Sequence, residues 1–423
     1  MTDTPEMVLV AEPSAGFGAR TVVGHVDVDT LTPRAIKRML VAAESGDLAA
    51  QAELFERMEE KDGELDANLR TRKAGVASLA FDVQPADRSP EAARAAELCR
   101  ESLDQIADLP QSLLDLLDAV PKGFSAVEIA WQTSNDGWRP ARLVWRPQRW
   151  FTLAEDGETL LLGGDVPGET TPLNPLNWIV HRVKARSGFC ARTGLLRSCV
   201  RAFVVRHFAW KDWMAFAEVY GMPPRLGWLR EGVLWDSDEA RQLFEAVRAL
   251  GMDAAAVVRE GNCIEVLDSR TTGEGQVFDL LIDRAGREMT LAVLGQTLTS
   301  GGESGGSYSL GQVHNQVRWD LIEADARALA RTLTDQLLRP IVRLNLGEGY
   351  PVPLWHFSTE QPEDLSALAQ TVLTLSQAGL PIPSDWAYEK FGIPKPAAGD
   401  PVFSAPSASL RAVSPSNHGK EQQ

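Results

Sequence analysis

The sequence predicts an α+β protein in which long helices and short strands gather in separate runs. Three observations carry this. Apolar residues keep helical spacing through Leu196, Val200, Phe203, Val204, Trp210, Met214 and Ala217, and again through Val313, Val317, Ile322, Leu329, Leu333, Leu337 and Ile341. Between Phe124 and Gly188 the pattern shortens to alternating segments broken at Pro147 and at Asp156-Gly157. Of 423 residues, 44% are apolar and 24% charged, the balance of a soluble globular protein with roughly two to three domains' worth of core.

The elements follow in chain order. Residues 1–30 carry scattered Gly, Pro and Thr and predict a flexible segment. Thr32 caps a helix with Pro33 in its first turn. Helical spacing continues through Leu48, Ala52, Leu54, Phe55, Met58, Leu65, Leu69 and Val76. Ala80–Asp87 alternates like a strand, and helices are expected near Glu91–Ala107 and Leu109–Val120. Phe124–Gln132 opens the strand-rich block, which closes with a strand in Leu176–Gly188. Trp131, Trp138, Trp145, Trp150 and Trp178 fall in that block and are expected to fill a sheet face. A long helix then runs from Gly194 until Gly221 and Pro223-Pro224 stop it. A helix near Asp238–Leu250 leads to a hairpin expected to turn at Glu260-Gly261. A helix from about Ile282 ends at Gly295. Ser309 and Gln312 have the spacing of a capping box for the next helix, in which Pro340 predicts a kink. A short strand in "VPLWHFS" and a helix near Pro362–Ala378 precede a tail, 394–423, rich in Pro, Ser and Ala and expected to be disordered.

Composition narrows the function. The net charge of -16 disfavours a surface that grips DNA, because tight non-specific binding needs Lys and Arg to neutralise phosphates. No apolar run is long enough to span a bilayer, and the first residues lack a signal-peptide pattern, so no membrane role is expected. Cys99, Cys190, Cys199 and Cys263 form no C-x-x-C pair and are expected as buried, reduced thiols.

Between the last two long helices lies Ser300–Ser307, the run Ser300, Gly301, Gly302, Glu303, Ser304, Gly305, Gly306, Ser307. A phosphate cradle would need a Lys, and here an acidic Glu303 stands in the middle. A lid would need catalytic groups beside it. His314, Asp320, Glu323 and Asp325 follow, but His314 and Asp320 are six residues apart on different helix faces, so all four read as surface polars. The remaining reading is a hydrated loop that points into a shared space. Basic residues gather before and within the long helix, with Arg192, Arg197, Arg201 and Arg206 as a candidate basic face. That face is either solvated or intersubunit, or it contacts nucleic acid or an acidic partner. The residues suggest no catalytic, cofactor or metal site.

Several segments carry a family resemblance: Gly46–Lys73, Leu116–Trp131, His207–Gly227, "LGQTLTS", "GSYSLGQVHNQVRWDLIEADARALARTL", "RPIVRLNLG" and Asp385–Pro396. Together they resemble the portal proteins of Mu-like tailed phages and prophages across about residues 30–396, with 228–275 alike only in general pattern. The resemblance implies a portal fold assembled as a ring, usually a dodecamer, with helical stem and crown elements and a β-rich wing. It implies a flexible segment at 1–30, a wing-like region at 31–193, a stem-like helix at 194–226 and a clip-like region at 227–275. A stem and channel loop with a long helix would occupy 276–347, a crown-like region 348–393 and a disordered tail 394–423. The implied partners are other copies of the chain, double-stranded phage DNA in transit, the large terminase subunit, and major capsid, neck and tail connector proteins. The implied place is the portal vertex of the virion, after assembly in the host cytoplasm, with no enzymatic activity. The alternatives are another structural head or neck protein without a DNA channel, and, further off, a nucleic-acid-processing enzyme.

Overall fold

Local sequence sets the ends of the first helices. In the computed structural model, which describes residues 6–7, 26–134, 137–164, 168–221, 225–229, 232–249, 255–259, 274–297, 308–359 and 365–396, Thr32 accepts the Ala35 N–H at 3.2 Å and starts α1 (Pro33–Glu44). α2 (Ala49–Lys61) follows, and Asp62 caps α3 (Gly63–Ala77) through the Leu65 N–H at 3.0 Å. After β2 (Phe81–Gln84), Ser89 caps α4 (Pro90–Asp104). α5 (Leu109–Leu116) and the single turn α6 (Ala119–Lys122) then lead into the sheet.

β3 (Phe124–Ser134) is the spine of that sheet. It pairs antiparallel with β4 (Gly137–Arg146) on one side, and with β8 (Trp178–Arg182) and the short β1 (Glu6–Met7) on the other. A bulge at Ala130/Trp131 lets the Trp131 indole donate to the Leu176 carbonyl at 2.9 Å. β5 (Phe151–Leu153), β6 (Leu160–Gly163) and β7 (Thr170–Pro172) form a second, antiparallel sheet. The expected tryptophan face is present only in part: Trp131, Trp138 and Trp145 pack on the main core, while Trp178 and Trp150, the latter in a 3-10 turn, belong to a separate cluster.

The long helices come next. α7 (Leu196–Gly221) lies along α9 (Glu274–Leu294), which begins eight residues before the Ile282 that the sequence suggested. Between them, β9 (Arg225–Leu229), α8 (Asp238–Ala249) and β10 (Ala255–Arg259) make a βαβ unit. β10, the first strand of the expected hairpin, pairs in parallel with β9 through a crossover helix, a partner the sequence did not suggest; the turn at Glu260-Gly261 and the strand after it lie outside the described residues. α10 (Tyr308–Leu333) starts one residue before Ser309, so Ser309 is within the helix rather than its cap. The kink expected from Pro340 takes the form of a π-helical turn, Thr334–Leu338, directly before α11 (Arg339–Asn345). Proline lacks an N–H and its ring crowds the carbonyl four residues back, and the wider turn relieves both. β11 (Leu354–Phe357) then pairs antiparallel with β2.

Three apolar clusters fill these elements. The largest joins α4, α5, β3, α10 and α11, with Leu113, Ile129, Leu329, Leu337 and Ile341 almost fully enclosed. A second joins α2, α3, α7 and α9 and includes Val26, Val28 and Leu31. The end of the segment expected to be flexible is therefore in part a core element, held where the Val26 N–H donates to buried Glu53 at 3.1 Å. A third cluster lies around Phe151, Trp150 and Trp178. Cys99, Cys190 and Cys199 are buried thiols as expected, while Cys263 lies outside the described residues.

Residues 1–359 form one compact unit and 360–423 another. The second contains α12 (Leu365–Gln377) and α13 (Ser384–Lys390), with Lys395 paired to Asp385 at 2.6 Å.

Candidate functional site

The run Ser300–Ser307 lies outside the described residues, but the frame on either side of it is defined. α9 ends at Leu294, and Gly295 follows with φ +67°, the left-handed geometry that stops a helix. A methyl group on Gly295 would come within 3.1 Å of Val317 in α10, so the exit of α9 rests on the next helix.

Arg72 of α3 fixes that meeting point. Its Nε and Nη2 donate to the two carboxylate oxygens of Asp325 in α10 at 2.7 and 3.1 Å. Its Nη1 donates to the Val293 carbonyl at 2.7 Å. Val293 is in the last turn of α9, where carbonyls lack helical partners and a cation is favoured. One buried guanidinium thus binds three helices, two of which flank residues 300–307. This corrects the surface reading of Asp325, which is 5% exposed. Of its neighbours, Asp320 accepts from Gln316 and Glu323 pairs with Arg327, both on the exposed side of α10. The His314 side chain lies outside the described residues.

A second polar chain braces α3 against α7 and α9. Asn68 donates to Thr290 at 2.9 Å, and Thr290 donates to Glu64 at 3.0 Å. Arg206 then binds Glu64 at 2.7 Å and Asp62 at 3.0 Å.

Further along α10, the π turn docks on the sheet. The Gln336 amide accepts the Val180 N–H at 2.7 Å and donates to the Val180 carbonyl at 3.2 Å, completing the edge of β8 as a strand would. Thr334 accepts the Trp355 N–H at 2.9 Å. His181 is fully buried, with Nδ1 2.9 Å from the Thr332 hydroxyl and no partner at Nε2. Burial pushes its pKa down to about 4, so the ring is neutral at pH 7.

The four arginines of the candidate basic face do not form one patch. Arg197 is largely buried, where it donates to Gln51 at 2.7 Å and pairs with Glu44, which Arg192 also approaches at 3.7 Å. Arg201 pairs with Glu288 of α9 at 2.7 Å, and Arg206 is bound by Asp62 and Glu64. All four charges are met by carboxylates of the same chain. Arg192 and Arg201 keep much of their side chains in solvent.

Sequence reasoning also passed over a buried ion cluster where α2, α3 and α6 meet. Lys122 contacts Asp118 at 2.8 Å and Glu59 at 3.0 Å, while Lys73 and Gln148 also reach Asp118. Burial would raise the Asp118 carboxyl, but Lys122 and Lys73 outweigh it and hold the group below its ordinary range. No group of three or more His, Cys, Asp or Glu among the described residues is placed to hold a metal, and no described helix is long and apolar enough to cross a membrane.

Comparison with known proteins gives a consistent result. The family model for the portal protein of Mu bacteriophage matches residues 52–393. The chain is 34% identical over 378 residues to Mu-like prophage FluMu protein gp29 of Haemophilus influenzae, covering 86% of this chain and 71% of that one. It is 32% identical over 396 residues to the portal protein of Escherichia phage Mu, covering 93% and 76%. Among solved structures, a chain from the virion of a native gene transfer agent particle superposes with TM-score 0.54 at 13% identity, covering 84% of this chain and 99% of that one. A chain from the neck of that particle, computed with C12 symmetry, superposes with TM-score 0.51 at 12% identity, covering 85% and 99%.

Proposed function

This chain belongs to the portal protein family of Mu bacteriophage, and from that premise we propose that its copies close into a ring at one capsid vertex through which double-stranded DNA is packaged and ejected. The family match across residues 52–393 carries the reading. The fold shared with a gene transfer agent neck computed with C12 symmetry supports twelve copies. In this reading the ring docks the large terminase during packaging and neck and tail connector proteins afterwards, and the chain hydrolyses nothing itself. Residues 31–193 and 348–393 would form wing and crown, and 227–275 the clip that meets terminase or neck.

Two physical features suit a conduit. A chain of net charge -16 offers DNA few net phosphate contacts, each of which would raise affinity and slow sliding. Residues 300–307 join α9, whose last turn Arg72 holds, to α10, which the same guanidinium holds further along at Asp325, so a ring would repeat this segment around its axis. We assign it to the channel wall, where glycines and hydrated serines can follow a duplex whose helical symmetry does not match the ring.

Deleting Gly301–Gly306 tests the assignment. Rings should still form in mass photometry and negative stain, while the yield of filled particles falls. An unchanged yield would make the segment a plain connector, and failure of ring formation would make it an assembly contact.

A further inference from the structure

We propose that the outer row of α9 on one copy docks onto the outer row of α7 on the next. This rests on the ring assembly proposed above and names the surfaces that close it.

The inner faces of the two helices meet within one chain: Phe216 packs on Phe278 with ring centroids 5.9 Å apart, and Arg201 reaches Glu288. Ile282, Ala285, Met289 and Val293 of α9 are buried. On the opposite side of α9, Leu280 and Leu291 are 68% and 52% exposed and flank Arg284 and Arg287 at three- and four-residue steps. On α7, Trp210 and Met214 are 48% and 64% exposed, and Glu218 continues their line four residues on. Met214 lies about 140° around the helix from buried Ala209, and Leu280 about 160° from Ile282, at about 100° per residue. The two rows therefore face outward from different helices of one pair.

Charge selects the occupant. Arg284, Arg287 and Glu218 make no ion pair or hydrogen bond among the described residues. Copies carrying -16 each repel over most of their surface, so they meet best where a cationic row faces an acidic one. Here the α9 row is apolar with two cations at its centre, and the α7 row is apolar with a carboxylate at its end. Different patches meeting head to tail give a heterologous contact, which closes into a ring when the rotation allows. Large side chains exposed in the single chain become the apolar core of that contact.

The full-length chain is assembled over a concentration series and rings are counted by mass photometry, with circular dichroism as the check on folding. E218R alone and R284E/R287E together should each raise the concentration for half-assembly about tenfold or more, and combining them should restore most of it. L280Q, which changes no charge, should weaken assembly in the same direction. Rings that form in all variants as in the parent would overturn the docking and leave the ring intact. Weakened single-row variants with no recovery on combination would also overturn it. A parent chain that forms no rings would overturn the ring reading, and the docking with it.

Discussion

Arg72 and Arg284 are arginines on long helices of the same compact unit, and their surroundings differ at every step. Arg72 is 9% exposed, with Asp325 bound at two nitrogens and the Val293 carbonyl at a third. Arg284 has no ion pair among the described residues and lies between leucines that are themselves exposed. The first region satisfies its charges within the chain, so it folds to one arrangement by itself. The second leaves both charge and apolar area open, as a surface made for another copy would. Burial, rather than residue type, separates scaffold from contact.

The comparison can be broken at its buried end first. D325A strands the Arg72 guanidinium and should destabilise the chain by about 3–5 kcal/mol in a urea titration. A loss below about 1 kcal/mol would mean that the junction is wet and the contrast unfounded. The pH dependence comes next. His181 has its pKa depressed from 6.5 to about 4 by burial, so the neutral ring contributes stability above pH 6.5 that is lost as pH falls toward 4. The expected loss over that window is on the order of 3 kcal/mol, and H181Q should flatten it. The smallest effect sharpens the comparison from the other end: M214S should change the stability of the unassembled chain by less than about 0.5 kcal/mol. A larger loss would show that Met214 is already packed within its own copy.

The sequence reveals these regions unequally. Helix starts at Thr32, the stop at Gly295 and the tryptophan face of β3 and β4 follow from local periodicity and caps, and the structure reproduces them. Asp325 stands three residues after Ile322 and four before Leu329, on the buried stripe of α10, but a carboxylate there reads as a surface polar until its partner Arg72, 253 residues away, is known. The parallel pairing of β10 with β9 was hidden for the same reason, since a strand's local pattern does not name its neighbour. Arg197 and Arg201 looked like one basic face because helical spacing aligns them, whereas Glu44 and Gln51 reach Arg197 and Glu288 reaches Arg201 from other helices.

The pairing of β2 with β11 has a consequence for synthesis. Val83 aligns with Trp355, and Phe81 stacks on Trp355 with centroids 4.5 Å apart, so the edge beside the largest core is closed by nearly the last residues of the first unit. At roughly 5–20 residues per second, a nascent chain needs some tens of seconds to get from Gln84 to Leu354, 270 positions further on. Until then β2 presents an unpaired strand edge with Phe81 and Val83, open to pairing with any neighbouring chain. A chain released before Leu354 lacks the partner of β2 and the Trp355 and Phe357 side chains of the main core, so full-length synthesis is what covers this edge.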